Sequence, residues 1–434
     1  MINSLWANTV ELPVFPTLER DLKTKFLIIG GGMAGLLCAY ALNRNGADYA
    51  LIEADSICSG ITRNTTAKIT SQHGLIYDKL ICRYGEDTAR LYYEANETAI
   101  QKYRQLAESF PCELETKPAY VYASEDAEGL QKELEALERI GARAEYVKEL
   151  PLPFETAGAI RFPDQAQFHP LLLAKGIAPG LNIYEHTAAR AFEGNTVYTG
   201  SGRIEAEKIV IATHFPILNK HGGYFLKMYQ DRSYVLALEN ARDPQGMFLS
   251  AEGDGPSLRS SGGLLLFGGG AHRTGKSGGG FAQVEEMARL YYPKSRVKYA
   301  WAAQDCMTLD GIPYIGQYGK NTPNLYVATG FNKWGMSSSM LSAMILGDVL
   351  LRRHNPYTEV FSPQRSSLHP QLFLNAFHAA ANLLTPTRPR CPHMGCALKW
   401  NGQERTWDCP CHGSRFEEDG TLLDGPATGN LHVK

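Results

Sequence analysis

The sequence predicts an α/β protein in which a parallel sheet with helices forms the main domain, an α+β domain is inserted into it, and a small all-β lobe follows at the C-terminal end. Two observations support this prediction. A short apolar strand near the start leads directly into a glycine-rich turn and a helix, which is how a parallel βαβ unit begins. Paired Cys and His residues lie close together within residues 391–434. With 434 residues, of which 44% are hydrophobic, the chain is long enough to form about two or three cores.

The first strand, residues 25–29, is a short apolar run typical of a strand buried in a parallel sheet. A G-x-G-x-x-G turn follows at once, and a helical pattern continues from it. Gly30 permits the tight turn, Gly32 lets the backbone approach a pyrophosphate, and Gly35 lets the helix and the strand pack closely. The helix N-terminus then presents its unpaired N–H groups to the phosphates. The predicted phosphate-binding residues are Gly30, Gly32, Met33, Ala34 and Gly35.

A second predicted strand, residues 49–53, ends in Glu53, eighteen residues beyond Gly35. Its carboxylate can accept hydrogen bonds from a ribose and would repel a 2′-phosphate. Strand, glycines, helix, strand and acid in this order are a specific signature of a Rossmann-like dinucleotide-binding unit. The alternative is a tight turn that binds no ligand.

Two clusters near the C-terminal end form the pattern Cys-x-His, fifteen residues, Cys-x-x-His. Each cluster supplies one thiolate and one neutral imidazole, the mixed ligand set of a Rieske [2Fe–2S] centre. The segment resembles the Rieske family, including its trailing Gly-Ser-Arg-Phe and Gly-Pro-Ala motifs at residues 413–416 and 425–427. The metal ligands are then Cys391, His393, Cys409 and His412.

The two remaining cysteines of this segment, Cys396 and Cys411, occupy matching places in the two loops, and we expect them to form a disulfide. Zinc is the alternative occupant, because two Cys and two His satisfy a tetrahedral ion. Zinc sites, however, usually pair Cys with Cys and His with His at short spacing.

The predicted cluster lobe, residues 391–434, is shorter than a complete Rieske domain. Such domains place several strands before the first ligand loop, whereas here a Pro-rich linker, residues 354–390 with one helix around 372–384, leads directly to Cys391. So small a unit buries little apolar surface, so the metal site, a disulfide or docking must stabilise it. We expect the lobe to dock on the rest of the chain. The alternative is a damaged lobe with a labile cluster.

Two further strand-and-turn segments, residues 208–213 and 325–330, follow later, and a Thr-x-Asp-Gly turn at 308–311 precedes the second of them. Together with the glycine turn they resemble the D-amino acid oxidase and glycine oxidase family of FAD-dependent enzymes, over most of residues 24–352. The resemblance implies one oxidoreductase unit, residues 1–353, that binds FAD non-covalently. It places FAD-binding segments at about 24–80, 155–215 and 300–352, and an α+β substrate domain at about 81–154 and 216–299.

The resemblance also implies FAD contacts beyond the glycine turn and Glu53. A polar loop of small residues, the start of a late helix and the turns before it lie against the flavin in this family. An ordinary polar surface loop is the alternative interpretation of the first of these. The implied contacts are Asn64, Thr65, Thr66, Lys68, Ala212, Thr213, Asp310, Gly311, Gly330, Gly335, Met336 and Ser337.

A second nucleotide pocket would indicate NAD(P)H chemistry, and Gly268-Gly269-Gly270 is the candidate for it. Arg273 stands where a further glycine is needed, and no acid follows a second strand at the right distance. These glycines therefore predict a hairpin or bend, and nicotinamide binding is disfavoured.

Candidate substrate-binding residues are few. In several amino-acid oxidases of the family, an Arg before the Thr-x-Asp-Gly turn binds the substrate carboxylate; here that stretch holds Asp305 instead. Asp305 would repel a carboxylate and attract an ammonium, or it serves a structural ion pair. Lys333 and Trp334 are expected to line the pocket. Arg232, Tyr234, Arg259 and His272 are weaker candidates for anion binding, and Cys306 or His272 could link a flavin covalently, although no motif supports it.

The sequence therefore predicts a dehydrogenase for a small amine, amino-acid-like or hydroxy substrate, with hydride transfer to FAD. Electrons then leave singly through the cluster, whose His ligands raise its potential to about −150 to +300 mV, against about −400 mV for plant ferredoxins. The expected acceptor is another protein or a quinone. The alternatives are an O2-using oxidase with a non-essential cluster, a reductase running in the opposite direction, and a non-enzymatic redox sensor or electron carrier.

The overall composition excludes several classes of partner. A net charge of −2 and a pI near 6.6 do not suit nucleic acid. No apolar run approaches 18 residues, and no charged segment followed by an apolar stretch opens the sequence, so we expect a cytoplasmic protein without a transmembrane segment.

Overall fold

The computed structural model describes residues 4–125, 127–218, 221–253, 255–366, 370–386 and 389–432. Short 3-10 turns lie at Trp6–Asn8 and Ile61–Asn64. The helices are α1 Met33–Arg44, α2 Tyr77–Tyr84, α3 Glu86–Ser109, α4 Glu128–Arg139, α5 Pro170–Ile177, α6 Tyr224–Lys227, α7 Phe281–Tyr291, α8 Gly335–Leu350, α9 Thr358–Phe361 and α10 Pro370–Leu384.

The strands belong to three sheets. They are β1 Leu22–Ile29, β2 Tyr49–Ile52, β3 Lys68–Ile69, β4 Glu115–Ala123, β5 Glu145–Val147, β6 Gly158–Gln167, β7 Ile183–Tyr184, β8 Ala191–Glu193, β9 Thr196–Tyr198, β10 Arg203–Ile211, β11 Met228–Glu239, β12 Met247–Ser250, β13 Ser257–Ser261, β14 Leu264–Arg273, β15 Arg296–Thr308, β16 Tyr314–Gln317, β17 Leu325–Thr329, β18 Lys399–Asn401, β19 Thr406–Asp408, β20 Arg415–Glu417 and β21 Leu422–Asp424.

The first sheet has the strand order β16-β17-β10-β1-β2-β7, with the hairpin β8-β9 attached to β10. β1 lies at its centre, parallel to both β2 and β10, and the apolar end of β1 is buried. Because parallel strands carry their turns at one edge, the turn after β1 and the turn after β10 meet there. A Cβ placed on Gly30 would lie 2.5 Å from the carbonyl oxygen of Ala212, so only glycine fits this meeting point.

The second sheet has the order β15-β11-β14-β13-β12-β4-β6-β3, and β5 pairs with β6. Its longest pair, β11 and β15, is antiparallel along the whole of β11, with Asp231 opposite Asp305 and Arg232 opposite Gln304. Neighbouring residues of a strand face opposite sides of the sheet. Successive side chains of β11 and β15 therefore point to different sides of the sheet.

The second sheet includes strands that the sequence assigned to the FAD-binding segments. β6 and β3 both lie in it, and β15 crosses the predicted boundary near residue 300. A short apolar strand looks the same in sequence whichever sheet it joins, since pairing partners are set by distant residues.

The C-terminal lobe is an antiparallel sheet, β18-β19-β20-β21, with two loops, residues 391–396 and 409–414, at one end. Its small core contains four cysteines together with a few apolar side chains such as Leu398 and Phe416. In the described part of the linker, α10 is followed by an isolated bridge between Arg390 and Ala397 rather than by a strand. The all-β lobe predicted from sequence is thereby confirmed.

Candidate functional site

A continuous cavity of about 1270 Å³ connects the glycine-rich turn, the second sheet and the C-terminal lobe. Of the residues predicted for FAD, those that line it are Gly30, Gly32, Met33, Ala34, Glu53, Asn64, Thr65, Thr66, Lys68, Ala212, Thr213, Asp310, Gly311, Gly335 and Met336. Gly35, Gly330 and Ser337 lie beside the cavity without lining it. The three candidate pocket residues Asp305, Lys333 and Trp334 line it as well.

The glycine-rich end of the cavity has the form that a dinucleotide requires. A Cβ on Gly35 would lie 1.9 Å from the Gly30 carbonyl oxygen, so α1 can approach β1 only with glycine at this position. Gly32 caps α1 without a side-chain hydrogen bond, and the first turn of α1 holds no acid. The first turn of α1 therefore places no acid of its own beside the backbone N–H groups that would meet phosphate oxygens.

Glu53 ends β2 beside this turn. Its two carboxylate oxygens accept hydrogen bonds from the backbone N–H groups of Gly31, at 2.6 Å, and Asp55, at 3.0 Å. Burial raises the pKa of Glu53 despite these bonds. The carboxylate is therefore fixed in place at the cavity wall, where its remaining lone pairs can accept from a ribose hydroxyl.

The polar loop at residues 64–67 is held from behind by buried donors that come from distant parts of the chain. Trp6, Trp301 and Arg259 donate to four carbonyl oxygens of this loop, at 2.7 to 2.9 Å. Because the loop's carbonyl oxygens are hydrogen-bonded to these donors on one side, its side chains face the cavity on the other side. Arg259 therefore positions this loop, and its prediction as an anion-binding residue was wrong: in the structure it is buried and outside the cavity lining.

Lys68, next in sequence, lines the cavity from a buried position. Its ammonium donates to the carbonyl oxygen of Phe248, at 3.1 Å, and to the hydroxyl of Ser257, at 2.8 Å. Burial, together with the nearby positive charge of Arg259, lowers the pKa of Lys68 to about 7.

The turn between β17 and α8 is held in an unusual backbone conformation. Asn332 and Lys333 both have positive φ, at 51° and 71°. The Asn332 side chain stabilises this turn by accepting from the backbone N–H of Thr308, at 2.7 Å, and donating to the Gly330 carbonyl oxygen, at 2.7 Å. The result places Lys333 and Trp334 at the cavity wall.

His73 was missed by the sequence analysis, although it lines the cavity. Its ring stacks on Trp334 with the ring centroids 4.5 Å apart, and its nitrogens bond to the Tyr92 hydroxyl at 2.6 Å and the Thr70 carbonyl oxygen at 2.8 Å. Burial lowers the pKa of His73 to about 3, so the imidazole is neutral. The ring that it stacks on, Trp334, is distant in sequence, and a lone His in a polar loop gave no signal.

Asp310 lines the cavity, but its carboxylate is already bound. Arg365 forms a two-point ion pair with it, at 2.7 and 2.8 Å, and the Tyr84 hydroxyl donates to it at 2.8 Å. Burial opposes ionisation, yet Arg365 outweighs burial and lowers the pKa of Asp310. Asp310 therefore fixes the turn that carries Gly311.

The two ligand loops of the lobe share one backbone geometry. In each, the first cysteine accepts from a glycine N–H four residues later, at 2.9 Å, and donates its own N–H to a carbonyl five residues later, at 2.8 to 2.9 Å. Cys391 thus corresponds to Cys409, and Gly395 to Gly413, both glycines having positive φ. Cys396 closes the first loop whereas Cys411 lies within the second, so the two do not occupy matching places as the spacing had suggested.

The two histidines among the four predicted ligands lie side by side and are suited to bind a metal. The rings of His393 and His412 lie nearly perpendicular, with centroids 5.0 Å apart. Burial lowers the pKa of both to about 4, which leaves them neutral, and Nδ1 of His412 is buried without a hydrogen-bond partner. A buried nitrogen lone pair of this kind is what a metal ligand offers.

The predicted Cys396–Cys411 disulfide is not formed in the structure, where the cysteines are free thiols. Their sulfur atoms and that of Cys409 lie within 4.8 Å of one another. The pairing remains a prediction for the oxidised protein.

The lobe is seated on the second sheet by side-chain amides that bind the ligand loop itself. Gln230 of β11 donates to the carbonyl oxygens of His412, at 2.7 Å, and Gly425, at 3.0 Å. Gln304 of β15 donates to the carbonyl oxygen of Gly413, at 2.8 Å. A Cβ on Gly413 would lie 2.6 Å from the Gln230 Cβ, so only glycine at this position lets the loop come this close to β11.

A buried ion-pair cluster joins the lobe to the same strand face. Arg232 of β11 forms a two-point pair with Glu404, to which Tyr234 also donates at 2.8 Å, and Arg415 links Glu404 to Asp408 with distances of 3.0 Å. Burial opposes the ionisation of Glu404, but Arg232, Arg415 and Tyr234 outweigh it and lower its pKa to about 2. We call these five residues the docking cluster.

These contacts overturn part of the predicted anion site. Arg232 is engaged by Glu404, Tyr234 by Glu404 and by His272 at 3.0 Å, and His272 also by the Arg273 carbonyl oxygen at 3.1 Å. Cys306 is buried, and neither Cys306 nor His272 lines the cavity, so neither is placed to link a flavin. The sequence could not show this, because Glu404 lies far along the chain.

The lobe also reaches the cavity. Residues of the segment 422–428 form part of its lining, together with His214, which follows β10. The next residue, Phe215, is buried and contacts the rings of both His393 and His412 edge-on, with centroids 6.4 Å apart. Phe215 thus follows a residue of the cavity lining and contacts both histidines of the cluster loops.

No helix in the described ranges is long and apolar enough to span a membrane.

Two family models match the chain. One, described as FAD dependent oxidoreductase, matches residues 25–349, and the other, described as Rieske [2Fe-2S] domain, matches residues 377–433. The chain is 36% identical to a protein of Bacillus subtilis (strain 168) named as a Rieske 2Fe-2S iron-sulfur protein, YhfW, over 97% of this chain and 95% of the relative. It is 21% identical to the gamma-glutamylputrescine oxidoreductase of Escherichia coli (strain K12), over 77% of this chain and 85% of that protein.

Solved structures share the fold of the larger part of the chain. The L-proline dehydrogenase from P. horikoshii superposes with a TM-score of 0.67 at 17% identity, covering 81% of this chain and 98% of that one. The glycine oxidase from Geobacillus kaustophilus superposes with a TM-score of 0.66 at 20% identity, covering 80% and 99%.

Proposed function

Since the chain belongs to the family of FAD-dependent oxidoreductases and carries a C-terminal Rieske [2Fe-2S] domain, we propose that it is a dehydrogenase whose electrons leave one at a time through the cluster. Its substrate is a small amine, amino-acid-like or hydroxy compound. When bound, FAD would serve as the hydride acceptor, and a [2Fe–2S] cluster would carry one electron at a time.

The observation that carries this proposal is the position of the ligand loops. The loop that holds Cys409 and His412 rests on β11 and β15, and other residues of the same strands line the cavity. Because the strand period is two, Tyr229 and Ser233 face the cavity while Gln230 and Arg232 hold the lobe. Side chains of one strand pair therefore contact both the cavity and the lobe.

The residues of this chain prepare the cavity in three ways. The docking cluster seats the lobe, whose segment 422–428 covers part of the cavity and limits the entry of water. The neutral His73 holds the Trp334 ring in place by stacking. The Asn332 turn fixes Lys333, whose ammonium lies 2.6 Å from Asp231.

We further infer that the electron acceptor, a protein or a quinone, approaches from the side of the lobe away from β11. Pro392 and Met394 are exposed there, and His393 is half-buried beside a hollow of about 380 Å³. His412, by contrast, is buried against the rest of the chain.

Anaerobic reduction of the purified protein tests the proposal. Adding members of an amine, amino-acid and hydroxy-acid panel should bleach the flavin absorbance, and the EPR signal of a reduced [2Fe–2S] cluster should follow. In Cys409→Ser the bleaching should persist without the EPR signal, whereas Arg405→Ala, which changes an exposed residue of the lobe, should match the wild type.

Other outcomes would overturn it. Production of hydrogen peroxide at an unchanged rate in Cys409→Ser would indicate an oxidase with a non-essential cluster. If no compound of the panel bleached the flavin of the FAD- and cluster-loaded protein, the protein would be an electron carrier or sensor. Bleaching of the flavin by NAD(P)H would indicate a reductase.

A further inference from the structure

We propose that the substrate is an amine that binds as a cation, with no carboxylate next to its reacting carbon, and that Asp305 binds its ammonium group and accepts one proton from it. The neutral amine then loses hydride from that carbon and becomes an iminium ion. This inference rests on the proposed function and narrows it to one substrate class.

The position of Asp305 is the first step. It lies on β15 between Ala303 and Met307, and all three line the cavity. The turn that carries Lys333 and Trp334 lines the same cavity. Among the described residues, none donates a hydrogen bond or forms an ion pair within 4.0 Å of the Asp305 carboxylate. A carboxylate in such a place needs a partner, which a bound cation provides.

The charges around Asp305 give the second step. Asp231 stands opposite it in the strand register, and Lys333 is the nearest base. The Lys333 ammonium is paired with Asp231, with 2.6 Å between Nζ and Oδ2. Arg273, opposite Asp231 in the pairing of β11 with β14, also interacts with Asp231. Both bases thus act on Asp231, and neither forms an ion pair with Asp305, whose carboxylate keeps its charge unpaired. This part of the cavity therefore attracts cations and repels a carboxylate.

The third step concerns the other bases of the cavity wall. In the described lining they are Lys79, Arg83 and Arg190, which are exposed at its rim, and Lys68. Lys68 binds oxygens of β12 and β13, and β13 is three strands from β15 in the sheet. At about 4.8 Å per strand, that distance is about 14 Å. An α-amino acid whose ammonium meets Asp305 thus finds only Lys333 near its carboxylate, and the charge of Lys333 is already balanced by Asp231.

Matched pairs of compounds test the inference on the FAD- and cluster-loaded protein without oxygen. Benzylamine is compared with phenylalanine, and butylamine with norleucine, by the perturbation of the flavin spectrum and by the rate of bleaching. We expect the amines to bind and to bleach the flavin, and both enantiomers of each amino acid to bind at least about ten-fold more weakly.

Variants assign the effect to one residue. Asp305→Asn should weaken amine binding by about ten-fold or more and leave the binding of neutral benzyl alcohol unchanged, which a merely structural role would not do. Asp87→Asn, at an exposed position on α3, is the matched control and should behave as the wild type. Asp305→Glu, checked for flavin content, should retain amine binding if Asp305→Asn fails to fold.

The possible failures are distinguishable. Amino acids that bind more tightly than the amines, hydroxy acids as the compounds that bleach the flavin, or amine binding unchanged in Asp305→Asn would overturn the inference and leave the dehydrogenase proposal standing. Amines that perturb the spectrum through Asp305 but never bleach the flavin would support the cation site and overturn the dehydrogenase.

Discussion

Gly35 has the tightest packing of the glycine-rich turn. A Cβ there would lie 1.9 Å from the Gly30 carbonyl oxygen, a contact that forces α1 away from β1. We expect Gly35→Ala to purify with little or no FAD, as measured by flavin absorbance per chain. Gly200→Ala is the control, because a Cβ at that turn meets nothing within 4 Å. Full FAD content in Gly35→Ala would show that the helix can shift without loss of the site.

Asp305 should make cation binding depend on pH. Burial, offset in part by Lys333 and reinforced by Asp231, raises the pKa of Asp305 to about 6. Its carboxyl is neutral below that value and charged above it, so affinity for a cation should rise as the pH increases through about 6 and then level off. Lys333 and Asp231 are the other charged groups facing it, and His73 stays neutral in this range.

A titration with benzyltrimethylammonium, whose charge does not change with pH, measures this dependence through the flavin spectrum. Asp305→Asn should give a flat profile. A profile that still rises through pH 6 in that variant would assign the titration to another group.

At the scale of residues, sequence reasoning found the side chains that belong to contiguous motifs. Gly30, Glu53 and Lys333 line the cavity as expected. It missed His73 and Asn332, because their roles depend on partners such as Trp334 and Thr308 that are brought together only by folding. An isolated polar residue can be assigned to a binding site only when the fold is known.

At the scale of elements, the docking cluster decides whether the lobe stays seated. Glu404→Ala would leave Arg232 and Arg415 buried without their shared partner, at a cost of about 3–5 kcal/mol. We expect the lobe of this variant to be cleaved faster by a protease while the larger domain resists.

Arg405→Ala provides the control, since Arg405 pairs with Glu418 at the surface and such pairs contribute about 0–1 kcal/mol. Equal cleavage rates in the wild type, Glu404→Ala and Arg405→Ala would show that the amide contacts of Gln230 and Gln304 suffice to hold the lobe.

The elements themselves were predicted unevenly. β1, α1 and β2 follow from local patterns, as does the helix before the lobe, which spans Pro370–Leu384. The assignment of β6 and β15 to a sheet did not follow, because pairing between strands far apart in sequence leaves no local trace. Docking of the lobe was expected from its small core, but the surface that receives it was not.

At the scale of the whole molecule, FAD binding and seating of the lobe should favour each other. The lobe segment 422–428 supplies part of the cavity lining, so each site is complete only when the other is formed. We expect FAD-depleted protein to lose its lobe to protease faster, and Glu404→Ala to release FAD more readily, both by at least about five-fold.

Fluorescence of released FAD and the yield of intact chain measure the two effects. Thermodynamic linkage requires the same factor in both directions for the equilibrium constants. If Glu404→Ala retained FAD as well as the wild type does, the lobe residues that line the cavity would contribute nothing to the free energy of FAD binding.

The hydrogen bonds from Gln230 and Gln304 end on the very loop that carries a histidine ligand. Under the proposed electron path, transfer from the flavin to the cluster takes place within one chain, so its rate should not change when the protein is diluted. Only the transfer to the external acceptor would then depend on the concentrations of the two partners.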